Sequence, residues 1–450
     1  MTSLEPFAPV DLAVALTGGA VALLLQAPLI GAAAERFEGD EGEYLARAGR
    51  QGPYAHDRHA PEPFLRLPGF VTWIALLVGG ARRRGEMPSP RRARWGMSLV
   101  AASVVALTAL LSASIGGTPA AALSTLLLLL LAERALLAVC LWPDGMLALC
   151  AVLAVTLVGG GAGGIGRAVL LGAVLTAAVT VRIDGLAMAA GSMVAVAALG
   201  WRSEELLWCV VPPLLVLVVW TVRSRRRYGV PVPETTFAFN LAVAARELDG
   251  GSEPIERSVV EVWAHGWRDR TWSERRGAAW WSLRRLGSRP FSAAAALLRR
   301  VLVLLGPDSF GEQQLLRQGG LFDGGGGGPG LSARWRLILG AGARWETPAL
   351  VGLSLAGVVA MLAGQAPAGP LPRLALLPFA AHAAACVAVH TRTRYRAPLL
   401  PLFALGGAHA VVALGDLVAQ GAVAAAAAAA ALGGATTFLL VRHPARHERT

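Results

Sequence analysis

Thr118-Pro-Ala-Ala-Ala-Leu-Ser-Thr-Leu-Leu-Leu-Leu-Leu-Leu-Ala-Glu-Arg-Ala-Leu-Leu-Ala-Val-Cys-Leu-Trp142 is the stretch that decides the class of fold. A helix needs roughly 20 apolar residues to cross the hydrocarbon core of a bilayer, and this run supplies them. Its only charges, Glu133 and Arg134, stand side by side. Such a pair either neutralises itself or marks a break in the helix. Other blocks obey the same length rule, and spans are expected near 12–33, 97–116, 118–142, 146–162, 167–182, 185–200, 205–222, 347–366, 371–390, 398–414 and 418–441. The first has no basic leader and no clear cleavage site, so it reads as a retained helix rather than a signal peptide.

Composition agrees. The 450 residues are 55% hydrophobic and 16% charged, with a mean hydropathy of +0.54. A soluble chain would be about 25% charged. A soluble enzyme, a disulfide-built secreted domain and a disordered chain are thereby excluded. The expected fold is an all-α polytopic membrane protein with about eleven transmembrane helices. Two apolar pieces fail the length test: Phe70–Gly80, between Pro68 and a triple arginine, and Ala293–Gly306, interrupted by Arg299 and Arg300. Both read as interfacial helices.

The spans divide the chain into an N-terminal membrane module (1–222) with a first outer loop (35–96), a large outer loop (223–346) and C-terminal helices (347–450). With the N-terminus inside, both loops emerge on the non-cytoplasmic side of the cell (inner) membrane. Their arginine content opposes the positive-inside rule, which weakens for loops beyond about 60 residues. The large loop carries seven of the 13 tryptophans: Trp263, Trp267, Trp272, Trp280, Trp281, Trp335 and Trp345. They alternate with arginine, a mixture suited to the headgroup layer.

Lys+Arg is 41 and Asp+Glu 29, for a net charge of +12, and every cationic side chain in that total is arginine. The absence of lysine excludes a Schiff base and a P-loop. The glycine-rich run 159–166 therefore joins two helices rather than cradling a nucleotide. In a membrane protein the positive charge points to lipid headgroups or anionic lipid-linked ligands, not nucleic acid. Cys140, Cys150, Cys209 and Cys386 show no metal spacing and no disulfide framework.

Chemistry concentrates after the first span, in Glu38-Gly-Asp-Glu-Gly-Glu-Tyr44. This is either a solvated acidic turn or a carboxylate at a membrane-edge cavity, able to accept a proton or to bind a metal. Asp40 and Glu41 are the candidates. His56 and His59 lack a third histidine nearby and read as loop polarity. Arg66 precedes a Pro-Gly turn, where a guanidinium can hold a lipid phosphate bidentately.

The order of these pieces resembles a family. Asp40-Glu41-x-x-Tyr44, then Arg66-x-Pro68-Gly69 before an apolar helix, looks like the polyprenyl-phosphate-sugar-dependent glycosyltransferases of the GT-C fold, including protein O-mannosyltransferase-like and aminoarabinose-transferase-like enzymes. Arg182-Ile-Asp184-Gly185, the run from Trp220 through Arg227-Tyr228-Gly229 to Asn240-Leu241, and Arg394-Tyr395-Arg396-Ala-Pro398-Leu-Leu-Pro401 resemble its later motifs. Glu43 stands where some members carry a basic residue, and Asp144 is the one acid available for the family's second outer-loop position.

The resemblance implies a GT-C-like fold and the family's usual inverting chemistry: a sugar leaves a polyprenyl-phosphate donor for a hydroxyl of a lipid, glycan or protein. It implies Asp40 as base or metal ligand with Glu41 beside it, and Arg66, Arg394, Tyr395 and Arg396 on the donor phosphate. Tyr44, Asp144, Arg182 and Asp184 are further candidates, and a divalent metal ion is a candidate cofactor. Two other classes stay open: a transporter or lipid flippase, and a non-catalytic scaffold for envelope assembly.

Overall fold

The computed structural model describes residues 8–33, 40–51, 66–78, 90–160, 164–248, 255–267, 270–307, 309–316, 320–324, 329–362, 376–389 and 393–442. Regular structure among them is entirely helical. In chain order the helices are α1 (Pro9–Ala32), α2 (Asp40–Gln51), α3 (Gly69–Val78), α4 (Pro90–Leu130), α5 (Ala132–Val139), α6 (Asp144–Gly159), α7 (Gly164–Val181), α8 (Gly185–Ala198), α9 (Ser203–Tyr228), α10 (Thr236–Glu247), α11 (Ile255–Ala264), α12 (Trp272–Ser288), α13 (Pro290–Leu305), α14 (Ser309–Leu316), α15 (Ala333–Leu362), α16 (Leu377–Val389), a 3₁₀ helix (Thr393–Leu399), α17 (Leu400–Ala419) and α18 (Val423–Arg442).

Six segments among the described residues are long and apolar enough to cross a bilayer: α1, α4, α7, α9, Arg394–Ala419 and α18. The bent pair α5–α6, which turns by 116°, makes a seventh if counted as one broken span. The chain is thus an integral membrane protein. The described residues, which leave out 363–375, do not themselves supply the expected count of eleven. Gly116 and Gly117, the latter at φ +70°, take non-helical backbone, so α4 is two helical stretches meeting at a kink where the break between 97–116 and 118–142 is expected. Helices α8 and α16 have 14 and 13 residues. At 1.5 Å per residue they reach about 20 Å, short of a core of about 30 Å. Helix α3, with ten residues, is shorter still. Helix α1 lies along α4 through small residues: a Cβ on Gly18 would sit 2.5 Å from Thr125 Cγ2, and one on Gly19 3.3 Å from the Ala102 carbonyl oxygen. Such contacts let apolar helices approach closely.

The leucine run breaks at Leu131, whose backbone is extended. Glu133 and Arg134 do not neutralise each other; they serve different partners. The Arg134 Nε donates to the Leu128 carbonyl at 2.7 Å and so closes the end of α4. Glu133 is 1% exposed and accepts from Arg396 Nε at 2.8 and 2.9 Å and from the Thr347 hydroxyl at 2.8 Å. Arg396 Nη1 also donates to the carbonyls of Leu304 and Gly306. One ion pair therefore ties α5, the end of α13, α15 and the 3₁₀ helix together.

The outer region folds onto this bundle rather than lying wholly in the headgroup layer. Trp267, expected at headgroup level, is fully buried and packs edge-on against Phe239 at 5.5 Å. Trp280, Trp281, Trp335 and Trp345 are exposed. Arg300 does not disrupt α13 by seeking water. It is buried, pairs with Glu247 at 2.7 Å and donates to the Val387 and Ala388 carbonyls that end α16.

Removing one member of a buried pair costs about 3–5 kcal/mol, because the other charge is left uncompensated. Arg396→Met should therefore lower the unfolding temperature in detergent sharply, and adding Glu133→Gln to it should recover part of the loss. Equal midpoints for the single and double variants would contradict this role.

Candidate active site

A cavity of about 920 Å³ lies where the family-like motifs converge. Two of the motif glycines explain how. A Cβ on Gly69 would stand 2.8 Å from the Thr180 backbone, and one on Gly185 2.3 Å from the Ala178 carbonyl oxygen. Neither position has room for a side chain. The α3 start is thereby pressed against the end of α7, and the α7–α8 turn is tight. Arg66 and Arg182–Asp184 are brought to one wall.

Around the cavity stand Tyr44 of α2, Arg66, Trp142 and Pro143 from the α5–α6 link, Arg182 and Asp184, Glu234 and Thr236 from the α9–α10 link, Cys386 of α16, and Arg394 and Tyr395 of the 3₁₀ helix. Phe237, Phe239, Val259 and Leu186 supply apolar surface. Three guanidiniums thus face one space. Arg66 is held bidentately by Glu43 at 3.1 and 3.3 Å and lies over the Tyr44 ring at 5.1 Å. Glu43, the departure from the family pattern, is the partner that orients Arg66. Arg182 bridges Asp144 at 2.9 Å and Asp184 at 2.8 Å and lies over the Tyr395 ring at 4.6 Å. Arg394 stacks 3.3 Å from the centre of the Trp142 ring.

Two carboxylates line the cavity, in opposite electrostatic states. Burial raises the Asp184 carboxyl, but Arg182 and then His382 outweigh it and hold it below its ordinary value. Glu234 lies outside the spans, on the α9–α10 link. Burial pushes its carboxyl above the ordinary value, against the pull of Thr236, Arg66 and Arg182. The Thr236 hydroxyl is buried beside the Glu234 carboxyl. A carboxylate and a hydroxyl so placed can take the proton of, and donate to, an incoming hydroxyl group.

The other sequence candidates lie elsewhere. Arg396 is absent from the cavity wall, committed to Glu133 and two carbonyls. Glu41 is buried and accepts from the Leu141 backbone N–H at 2.7 Å, bracing the α5–α6 link. Asp144 sits behind the wall, 1% exposed, holding Arg182. Asp40 begins α2, and its side chain lies outside the described residues. Glu234, Thr236 and His382 went unread in sequence, and Cys386, expected to show no metal spacing, stands with Asp184 and His382 in a group that could hold a metal ion. Glu234 follows Pro233 in a loop with no acidic neighbour, whereas the four-residue spacing of His382 and Cys386 on one helix was a usable signal. Among the described residues, Asp184, His382 and Cys386 form the one group able to hold a metal ion.

No protein-family model matches the chain, and no curated protein matches it. Among solved structures it is similar to the oligosaccharyltransferase of Archaeoglobus fulgidus. Against the apo form the identity is 15% and the TM-score 0.49, over 96% of this chain and 55% of that one. With the same enzyme tethered to an acceptor peptide containing the NVT sequon the values are 15% and 0.46, over 96% and 54%. With its complex of an inhibitory peptide and a dolichol-phosphate they are 15% and 0.44, over 96% and 55%. The chain spans about half the length of these structures.

The raised Glu234 carboxyl has a stability consequence. A carboxyl whose folded pKa exceeds its unfolded one destabilises the fold once pH rises above the unfolded value, because the unfolded chain then ionises more readily. Glu234→Gln should leave the unfolding temperature unchanged below about pH 4, the ordinary range of a glutamate, and raise it increasingly towards neutrality. A variant destabilised throughout would show that the carboxylate is a structural partner instead.

Proposed function

We propose that the cavity is the active site of a GT-C-type membrane glycosyltransferase, which moves a sugar from a polyprenyl-phosphate donor to a hydroxyl acceptor on the non-cytoplasmic face. The observation that carries this reading is the convergence of Arg66, Arg182 and Arg394, with two carboxylates, on one partly apolar cavity in a membrane protein. Guanidiniums recognise phosphate oxygens through a planar fork. The apolar wall suits the first carbons of a lipid chain, and the cavity volume suits a sugar phosphate.

The chemistry follows from charge. As the glycosidic C–O bond breaks, negative charge grows on the departing phosphate, and fixed cations stabilise it without a strong acid. The acceptor hydroxyl attacks the anomeric carbon from the opposite side and inverts it, giving its proton to a cavity carboxylate. Glu234 fits that task by its raised pKa; Asp184, tied to Arg182, is the weaker base. Asp40 is the base that the family resemblance implies. Arg394 and Arg66, with Tyr395 at the cavity wall, hold the donor phosphate; Arg396 acts as the anchor of the 3₁₀ helix. The acceptor is a lipid, glycan or protein hydroxyl.

Purified protein incubated with a panel of polyprenyl-phosphate sugars should retain or transfer at least one, read by mass spectrometry. Arg394→Lys should weaken donor retention, since a point charge cannot reproduce the fork. Loss of a general base costs about 10²–10⁴ in rate. That loss in Glu234→Gln but not in Asp40→Asn assigns the base to Glu234; the reverse assigns it to Asp40. Donor bound and moved across liposomes with no sugar transferred would favour a flippase and overturn the transferase.

A further inference from the structure

Asp184, His382 and Cys386 each place one ligand atom within 4.8 Å of the others. His382 and Cys386 lie four residues apart on α16, so both leave the same face of the helix. Asp184 comes from the α7–α8 turn. Helix α8 is held close to α16 by Gly191, where a Cβ would stand 2.6 Å from the Leu377 carbonyl oxygen.

The histidine is arranged as a ligand. Its Nε2 lies 3.1 Å from the Tyr395 carbonyl oxygen. A carbonyl only accepts, so that nitrogen carries the proton, and in the neutral ring Nδ1 keeps a free lone pair. Nδ1 is buried with no hydrogen-bond partner, in a side chain 1% exposed. Such an orphan acceptor is costly in an apolar interior. Histidines that bind metals donate their other ring N–H to a carbonyl or carboxylate in this way. The Cys386 Sγ stands beside the same edge of the ring, 3.4 Å from Nε2 and 3.8 Å from the Tyr395 carbonyl oxygen.

We infer that Asp184, His382 and Cys386 bind a divalent transition-metal ion of the zinc class at the cavity wall. The mixed nitrogen, sulfur and carboxylate donor set selects zinc-like ions over magnesium or calcium, which take oxygen ligands. Asp184 and Cys386 line the cavity, so the position left by three protein ligands faces it. Binding replaces the thiol proton, and the dication, thiolate and carboxylate together sum to zero charge, one unit more positive than the ionised Asp184 with a neutral thiol. Arg182 donates to Oδ1 of Asp184, which leaves the carboxylate lone pairs for the ion. The inference does not depend on the glycosyl-transfer reading, since binding is measured without donor or acceptor.

The test is cobalt substitution of the purified full chain in detergent under reducing, anaerobic conditions. Wild type should take up about one equivalent and show a thiolate-to-cobalt charge-transfer band with the visible absorption of a tetrahedral site. Cys386→Ser should abolish the charge-transfer band, and His382→Gln should reduce zinc retained after dialysis at least tenfold. Cys150→Ser, which alters a buried cysteine outside the cluster, should change neither. If Cys386→Ser fails to fold, His382→Gln carries the same decision through the visible spectrum. No band in wild type, or a band indifferent to both variants, overturns the inference.

Discussion

An arginine inside an apolar bundle must be neutralised and hydrogen-bonded, and Arg396 is where this fold meets that demand most fully. Its guanidinium takes the Glu133 carboxylate and the carbonyls that end α13. The consequence reaches the cavity through backbone geometry. A 3₁₀ helix has three residues per turn, so side chains two apart leave it on different faces, about 120° from each other. Fixing Arg396 towards the bundle interior therefore sends Arg394 off another face, onto Trp142 and into the cavity wall. The break at Leu131 is the complement of this arrangement. It turns Glu133 inward to meet Arg396, and it starts α5, whose sharp turn into α6 carries Trp142.

The class of fold was legible in the sequence because twenty-residue apolar blocks have few other uses. Individual spans were less so. Hydropathy reports whether a segment can lie in lipid, not whether it is long enough to cross it, and α8 and α16 are apolar but only 14 and 13 residues long. Most of the cavity was also legible: Tyr44, Arg66, Arg182, Asp184, Arg394 and Tyr395 were singled out by motif order, and all line one space. What order could not tell was direction. Within Arg394-Tyr395-Arg396 the two arginines look equivalent until helical geometry separates them. Glu41 similarly faces the Leu141 N–H rather than the cavity. Trp267 shows the same limit, since an indole beside arginines suits a headgroup layer and also suits a small core with Phe239.

The motif glycines carry as much of the site as the charged residues do. Gly69 and Gly185 each stand where a Cβ would meet backbone, and each follows a residue of the cavity wall by no more than three positions. Close backbone approach fixes the positions of Arg66 and Asp184 more firmly than side-chain packing could, because backbone cannot change rotamer to make room. Pairing a charged residue with a downstream glycine thus turns a flexible side chain on a loop into one with a set origin.

The four arginines of this region differ in what holds them. Arg396 has a carboxylate and two carbonyls, Arg182 two carboxylates, Arg66 one carboxylate and an aromatic face. Arg394 is fixed by the Trp142 ring. A carboxylate holds a guanidinium in place by cancelling its charge. An aromatic ring holds its plane while leaving the charge available along the edge. An anion meeting Arg394 therefore finds a fork already oriented, with little side-chain entropy left to lose on binding. Stacking at Arg394, stacking with a carboxylate at Arg66, and a carboxylate with carbonyls at Arg396 let one residue type serve both as a ligand-facing group and as a structural bolt in a chain without lysine.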